Sequence, residues 1–462
     1  MTSASSATPP RAALEPNGRE PLKGLRVVEI GVAMAGPFCA MLLGDYGADV
    51  VKLERPQVGD DSRSWSPYFH ESLSYYYAAA NRNKRSVSVD IKTPEGAAIA
   101  RKLLEQADVL VTNFRLGALD RCGLDYDSLS RINPRLIYCA ISGFGAAGPL
   151  SAEPANDLFM QAYSGGMSIT GEPGGSPAKM GMSVADVGAG LFATVGVLMA
   201  LQVRQATGKG QRVDASLLEG QMAMLTQFFT RYYASGEVPG PSGSGALSSP
   251  TYRAFQGSDD WIVIAAFNQR MWRGLCEALE QPQWVDDPRF ADGTQRSENR
   301  QLLIGMIATV MKTRPIAHWQ DAFRRCEVPC SAVHTIDKVV VQPQVLPIGM
   351  LLADLQQQQG QKAEAEALYL KLASDFPRDP RPLLALALLR QEQGDTKAAQ
   401  EAMAMARSRQ PDRPDPRLDQ VAASWGLSSL RKAALSPKAA SPAAPMPTQA
   451  GMPTPEPERP TP

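Results

Sequence analysis

Histidine is nearly missing from this chain of 462 residues: His70, His318 and His334 are the only three, in no spacing that suggests a metal site or a hydroxyl–imidazole triad. That argues against hydrolases of the Ser/His type. An excess of charge is lacking too, since 47 basic and 47 acidic side chains cancel. No global field gathers nucleic acid or an anionic membrane, and a charged ligand must be held by a local patch. Cysteine is sparse, and of the six only Cys326 and Cys330 stand close together. One C-x-x-x-C without a second pair gives no metal framework, so no metal is expected, and buried free thiols in a reducing cytosol are. The first twenty residues, rich in Ser, Ala and Pro, have no apolar stretch followed by a cleavage site; residues 1–21 read as a disordered leader. The most lipid-like run, 187–203, is rich in Gly and Ala and slightly short for a bilayer span. A buried packing helix in a cytoplasmic protein, with no membrane partner, is expected.

What is present divides the chain. Residues 22–221 alternate short β-branched runs with helical stretches: Leu25-Arg-Val-Val-Glu-Ile30, a Gly/Ala turn through Gly36-Pro37, a helix to Tyr46, then Ala48-Asp-Val-Val-Lys-Leu-Glu54. Further strands are expected at 86–90, 109–113 and 136–142, with helices at 94–106 and 126–133. The alternation predicts an α/β fold, a Rossmann-like doubly wound parallel sheet with ligands at the carboxyl ends of its strands. Residues 222–345 read as a smaller α+β domain, with a hairpin at 252–265 and helices near 270–279 and 297–312. From 346 to 435 the pattern changes. Gly360 and Gly394 are 34 positions apart (394 − 360), as are Pro377 and Pro411 (411 − 377), with Leu352/Leu386, Leu355/Leu389 and Ala365/Ala399 in register. A period of 34 resembles the tetratricopeptide repeat, here two units with 417–434 as a capping helix. Residues 436–462, rich in Pro and Ala, read as a disordered tail.

Asp186, in Met180-Gly-Met-Ser-Val-Ala-Asp-Val-Gly-Ala-Gly190, is the outstanding candidate for chemistry. Ser183 and Asp186 have the spacing of a capping box at a helix start. The same surroundings, free N–H groups and the positive end of a helix dipole, also keep a carboxylate ionised for nucleophilic attack. The two roles are compatible.

Several blocks in order resemble family III CoA-transferases, the group that includes formyl-CoA transferase, carnitine CoA-transferase and α-methylacyl-CoA racemase. They are Leu22-Lys-Gly-Leu-Arg-Val-Val-Glu29 with Ala35-Gly-Pro37, Gly47-Ala-Asp-Val-Val-Lys-Leu-Glu-Arg55, Asn83-Lys-Arg-Ser86 leading to Asp90-Ile-Lys-Thr-Pro-Glu-Gly96, and Asn113-Phe with Gly117-Ala-Leu-Asp-Arg121. Ser142-Gly-Phe-Gly145, Gly165-Gly-Met-Ser-Ile-Thr-Gly171, Asp186 and Gly208-Lys-Gly-Gln-Arg212 complete the likeness, which spans about 22–345. Past Val345, members continue with a segment that returns to the large domain, and here repeat-like sequence takes its place.

The resemblance implies an acyl-CoA:carboxylate CoA-transferase that works as an interlocked homodimer on an acyl-CoA and a small carboxylic acid. It implies no tightly bound cofactor, with the coenzyme A thioester as substrate. Asp186 would be the nucleophile, forming an aspartyl anhydride and then an aspartyl-CoA thioester. Arg55 and Arg121 fall at CoA-contacting positions and Lys84 and Arg85 in a block near them, although a Lys-Arg pair is equally read as a solvated face. Asp157 matches an acidic position near the active site, or is a loop residue or helix cap, and Met34 stands where some members place a polar residue. The racemase branch has a histidine in a Gly-His-Asp stretch; here it is Ala155-Asn-Asp157, which favours transfer over racemisation. The stretch Pro239-Gly-Pro-Ser-Gly-Ser-Gly245 is a candidate for the family's glycine loop, or a flexible linker. Two alternatives stay open: a racemase of the same family, and an impaired transferase fold whose helical repeats bind a peptide. A nicotinamide dehydrogenase is disfavoured because Gly31-Val-Ala-Met-Ala-Gly36 lacks the G-x-G-x-x-G spacing.

Overall fold

Runs of apolar residues on both strand faces demand cover on both sides, and the chain supplies it. The computed structural model describes residues 20–409 apart from 71–72, 247–248, 341, 343–348, 351–352, 355, 358–359 and 378. The leader to residue 19, the capping helix at 417–434 and the tail from 436 fall outside the described residues.

Strands Arg26–Ile30 (β1) and Asp49–Glu54 (β2) are followed by a small hairpin, Tyr68–His70 (β3) with Leu73–Ser74 (β4). Next come Lys84–Ser88 (β5), Val109–Thr112 (β6), Ile137–Ser142 (β7) and Arg212–Ser216 (β8). Six of them pair in parallel in the order β5-β2-β1-β6-β7-β8. The expected doubly wound sheet is therefore present, and its order reverses between β1 and β6, where such sheets bind ligands.

The strand period of two sorts the core into two layers. Val27, Val111 and Ile137 pack with Cys39 and Leu43 of helix Ala35–Asp45 (α1) and with Ala193 and Val197 of helix Val184–Thr207 (α6). Val28, Leu110 and Tyr138 point the other way, onto helices Pro94–Leu104 (α3) and Tyr126–Ile132 (α4). Two short helices, Tyr75–Asn81 (α2) and Asp157–Tyr163 (α5), and helix Leu217–Met224 (α7) complete this part.

Helix α6 is longer than expected and only half buried. Its small residues, among them Gly188, Ala189, Gly190 and Ala193, lie inside, while Leu191, Phe192, Val195, Leu198 and Met199 are exposed. It is the one helix among the described residues long and apolar enough to cross a membrane by length and composition. At Gly190 a Cβ would lie 2.9 Å from the Ala35 carbonyl oxygen and 3.1 Å from the Phe38 ring. Only glycine lets α6 press this closely on α1. Gly208, at φ 73°, ends the helix in the left-handed conformation.

The expected hairpin is Tyr252–Gln256 against Trp261–Ala265, extended by an unforeseen third strand, Cys330–Ala332. With helices Gln269–Ala278, Arg300–Met311 and Ile316–Arg325 it encloses a second core around Ile262, Ile264, Trp272, Phe290 and Phe323. The described residues from His334 to Arg409 form a separate compact unit. In it, helices Lys362–Asp375, Arg381–Glu392 and Thr396–Ser408 share a core of Tyr369, Leu386 and Met403, and Gly360 and Gly394 take φ values of 79° and 83°.

Candidate active site

Asp186 is the third residue of α6, and its surroundings differ from a capping box. Ser183 has ψ 71°, outside the extended geometry a cap needs, and makes no side-chain cap bond. Its hydroxyl pairs with the Tyr76 phenol instead. The helix start is satisfied from another element: the Ala185 N–H donates to Asp157 Oδ1 at 2.9 Å. Asp157 is free to do this because Asn156 caps α5, accepting the Phe159 N–H at 3.0 Å. The other Asp157 oxygen, Oδ2, accepts from Gln161 Nε2 at 2.7 Å.

The two carboxylates are thus treated oppositely. Asp157 has both oxygens engaged, whereas no described residue gives Asp186 a hydrogen bond or ion pair. Burial first, and the negative charge of Asp157 second, push the Asp186 carboxyl up to about 7. It faces a pocket of 100 Å³ at the carboxyl ends of β6 and β7, bounded by Ala35, Asn113, Phe114, Ser142 and Gly143.

Phe114 also lines a larger cavity of 570 Å³ at the carboxyl ends of β1, β2 and β5. Its walls include Gly31, Val32, Glu54, Arg55, Lys92 and Arg121. Arg55 pairs with Asp61 and donates weakly to the Gly59 carbonyl; Arg121 and Lys92 are exposed, and no described residue pairs with the charged end of either. Lys92 was not singled out from sequence. The floor is fixed by Asn113, whose Oδ1 accepts the Val32 N–H at 2.9 Å and whose Nδ2 donates to the Val32 carbonyl at 2.9 Å. A Cβ on Gly31 or Gly36 would lie within 3 Å of that oxygen.

Beneath the turn lies a buried charge cluster. Lys52 Nζ contacts Glu29 Oε1 at 2.5 Å, Asp60 Oδ2 at 2.9 Å and the Gly31 carbonyl at 3.0 Å. Burial works against the Lys52 charge, but Glu29 and Asp60 outweigh it and raise its pKa. Glu54, where a dehydrogenase would hold ribose, is already taken. Burial raises its pKa, but hydrogen bonds from Arg63, Ser86 and the Asp60 N–H overcome this and hold it at about 2.

Four sequence expectations are corrected by placement. Lys84 is buried rather than facing a phosphate site: its Nζ meets Glu29 Oε2 at 2.7 Å and donates to the Pro37 carbonyl, and burial lowers its pKa to about 8. Arg85, the next residue on β5, faces the other way and forms a two-oxygen pair with Asp49 at the amino end of the sheet, beside Arg26. Met34 is the residue before α1 and lines neither cavity. Within 239–245, the Gly243 N–H donates to the Gly171 carbonyl at 2.9 Å, and no residue of the stretch lines the Asp186 pocket.

Comparison with known proteins fits this geometry. The profile of CoA-transferase family III matches residues 22–384, which reaches 39 residues past Val345 (384 − 345), into helix Arg381–Glu392. A succinate–glutarate CoA-transferase of Agrobacterium fabrum is 38% identical over 356 residues, spanning 75% of this chain and 88% of that protein. A succinyl-CoA:glutarate CoA-transferase of Mus musculus is 36% identical over 72% of this chain and 76% of its own length. Among solved structures, a CAIB/BAIF family protein from Brucella suis superposes with a TM-score of 0.66 at 37% identity, covering 72% of this chain and 89% of that one. The parallel sheet, the carboxylate beside its switch point and these matches agree, and the chain belongs to CoA-transferase family III.

Proposed function

We propose that the chain transfers coenzyme A between carboxylic acids through covalent intermediates on Asp186. The observation that carries this reading is a half-buried carboxylate that no described residue pairs, in a pocket separated from a cation-edged cavity by one aromatic residue. The nucleotide of CoA sits in the larger cavity, with Arg55, Arg121 and Lys92 beside its phosphates. The thioester end passes Phe114 to reach Asp186.

The Asp186 carboxylate attacks the donor carbonyl and expels CoA thiolate, giving a mixed anhydride. The thiolate then attacks the aspartyl carbonyl, releasing the donor acid and leaving an aspartyl-CoA thioester. An acceptor carboxylate attacks that thioester and expels the thiolate again. Attack of the thiolate on the acceptor acyl group yields the new CoA thioester and restores the carboxylate. Because the relatives are named for succinate and glutarate, small dicarboxylic acids are the expected donor and acceptor.

Racemisation is disfavoured, since Asn156 occupies the place of a second base and its side chain is spent as a cap. The exposed apolar side of α6, continued by Phe159 and Tyr163 of α5, is the surface a second copy would cover. A homodimer follows, and light scattering should give about twice the chain mass. A monomer at micromolar concentration would refute it.

Mass spectrometry after mixing with succinyl-CoA is expected to find CoA attached at Asp186. Turnover with no adduct, or with one elsewhere, would overturn the mechanism. Arg121→Met should raise KM for the thioester about tenfold, a loss of about 1.4 kcal/mol, with kcat within about twofold. Arg85→Ala should leave both unchanged.

A further inference from the structure

We infer that Gln161 is a positioning residue for transfer, fixing the segment that enters α6 so that Asp186 meets the thioester carbonyl. This rests on Asp186 being the nucleophile. Gln161 is 1% exposed and sits one helical turn after Asp157 on α5. Its Oε1 accepts the Met180 N–H at 2.8 Å, and its Nε2 donates to Asp157 Oδ2 at 2.7 Å and to the Met182 carbonyl at 3.3 Å. Asp157 Oδ1 in turn holds the Ala185 N–H. Three backbone positions in the six residues before Asp186 are therefore tied to one pair of side chains on a different helix.

The bonds have a fixed sense. If the amide oxygen and nitrogen of Gln161 exchanged places, its N–H group would face the Met180 N–H and its oxygen would face the Asp157 carboxylate. Apolar packing offers no substitute here, because Gly181 and Met182 are exposed. Gln161 does not line the Asp186 pocket, so it acts through the backbone and not on substrate. Displacements of an ångström at a reacting group cost large factors in rate, which makes such a tie consequential.

The test is a reciprocal exchange in the full-length chain. Gln161→Glu sets two carboxylates against each other, and Asp157→Asn sets two amide donors against each other. The double variant reverses donor and acceptor while keeping the net charge and the bonds to Met180 and Ala185. Each single change is expected to slow CoA loading of Asp186 about 100-fold, with KM for acyl-CoA within about threefold. The double variant should recover to within about fivefold of the parent. A double variant as slow as the product of the two singles, or singles that load at the parental rate, would overturn the role of Gln161. If the parent turns over without CoA on Asp186, the nucleophile reading itself fails, and that result is separate from any variant.

Discussion

Asp186→Asn is expected to abolish transfer, by at least about 1,000-fold, and at the same time to make the protein more stable at pH 8. The carboxyl of Asp186 is raised from 3.8 to about 7 by burial and by Asp157. A group whose pKa is raised by folding contributes its full stability below its unfolded value and loses it as pH climbs through the folded value. At pH 8 the parent therefore holds an ionised side chain that the fold disfavours by a few kcal/mol, at about 1.4 kcal/mol per unit of pKa. Asparagine has no charge to bury. Melting curves should show the variant several degrees higher at pH 8, with the difference shrinking as pH falls and vanishing below about 3.8. Equal melting temperatures at both ends of that range would mean that the site does not hold the carboxylate under strain. The same titration predicts that kcat/KM of the parent rises with pH through about 7, because only the ionised form attacks.

Lys52→Met is expected to cost about 3–5 kcal/mol, although methionine fills a similar volume. Removal of the ammonium takes the buried counter-ion from Asp60 and leaves Glu29 with Lys84 alone. In the parent, burial tends to raise the Asp60 pKa, but Lys52 and the Ser62 contacts outweigh it and lower it. That contribution is present above the unfolded pKa of Asp60 and vanishes as pH falls through the lowered one. Without Lys52 the Ser62 contacts alone oppose burial, so the folded pKa rises and the deficit shrinks as pH falls. Urea unfolding should show the largest difference at pH 8 and a smaller one at pH 5. A deficit below about 1 kcal/mol at pH 8, or one that grows on acidification, would contradict this account. The damage should reach the cavity as well, since Asp60 Oδ1 also accepts the N–H of Ala33, an alanine held at φ 63°.

The legible parts of the fold were those dictated by local pattern. β1, β2, β6 and β7 carry apolar residues on both faces and lie within a residue or two of the expected positions. β8, with the sequence Arg-Val-Asp-Ala-Ser, lies at the sheet edge with Arg212 and Asp214 side by side, so its composition reads as loop. Placement of charge was less legible for a physical reason. Lys84 and Arg85 look alike in sequence, yet adjacent strand residues point to opposite faces, and one is buried against Glu29 while the other pairs at the surface. Strand alternation applied to β5 was the signal that could have separated them. The cap of α6 was beyond local reading altogether, because its acceptor comes from a residue 28 positions away. The i, i+4 spacing of Asp157 and Gln161 was the only hint of the pair that holds it.

The contact at Gly190 makes a ruler of the fold. With α6 resting on the backbone of α1 at Ala35, the turn at Gly31 and Val32 and the carboxylate of Asp186 cannot slide past each other. The gap between the larger cavity and the Asp186 carboxylate is set by the scaffold. An acyl carrier whose arm is shorter than that of CoA would stop short of the carboxylate, however reactive its thioester.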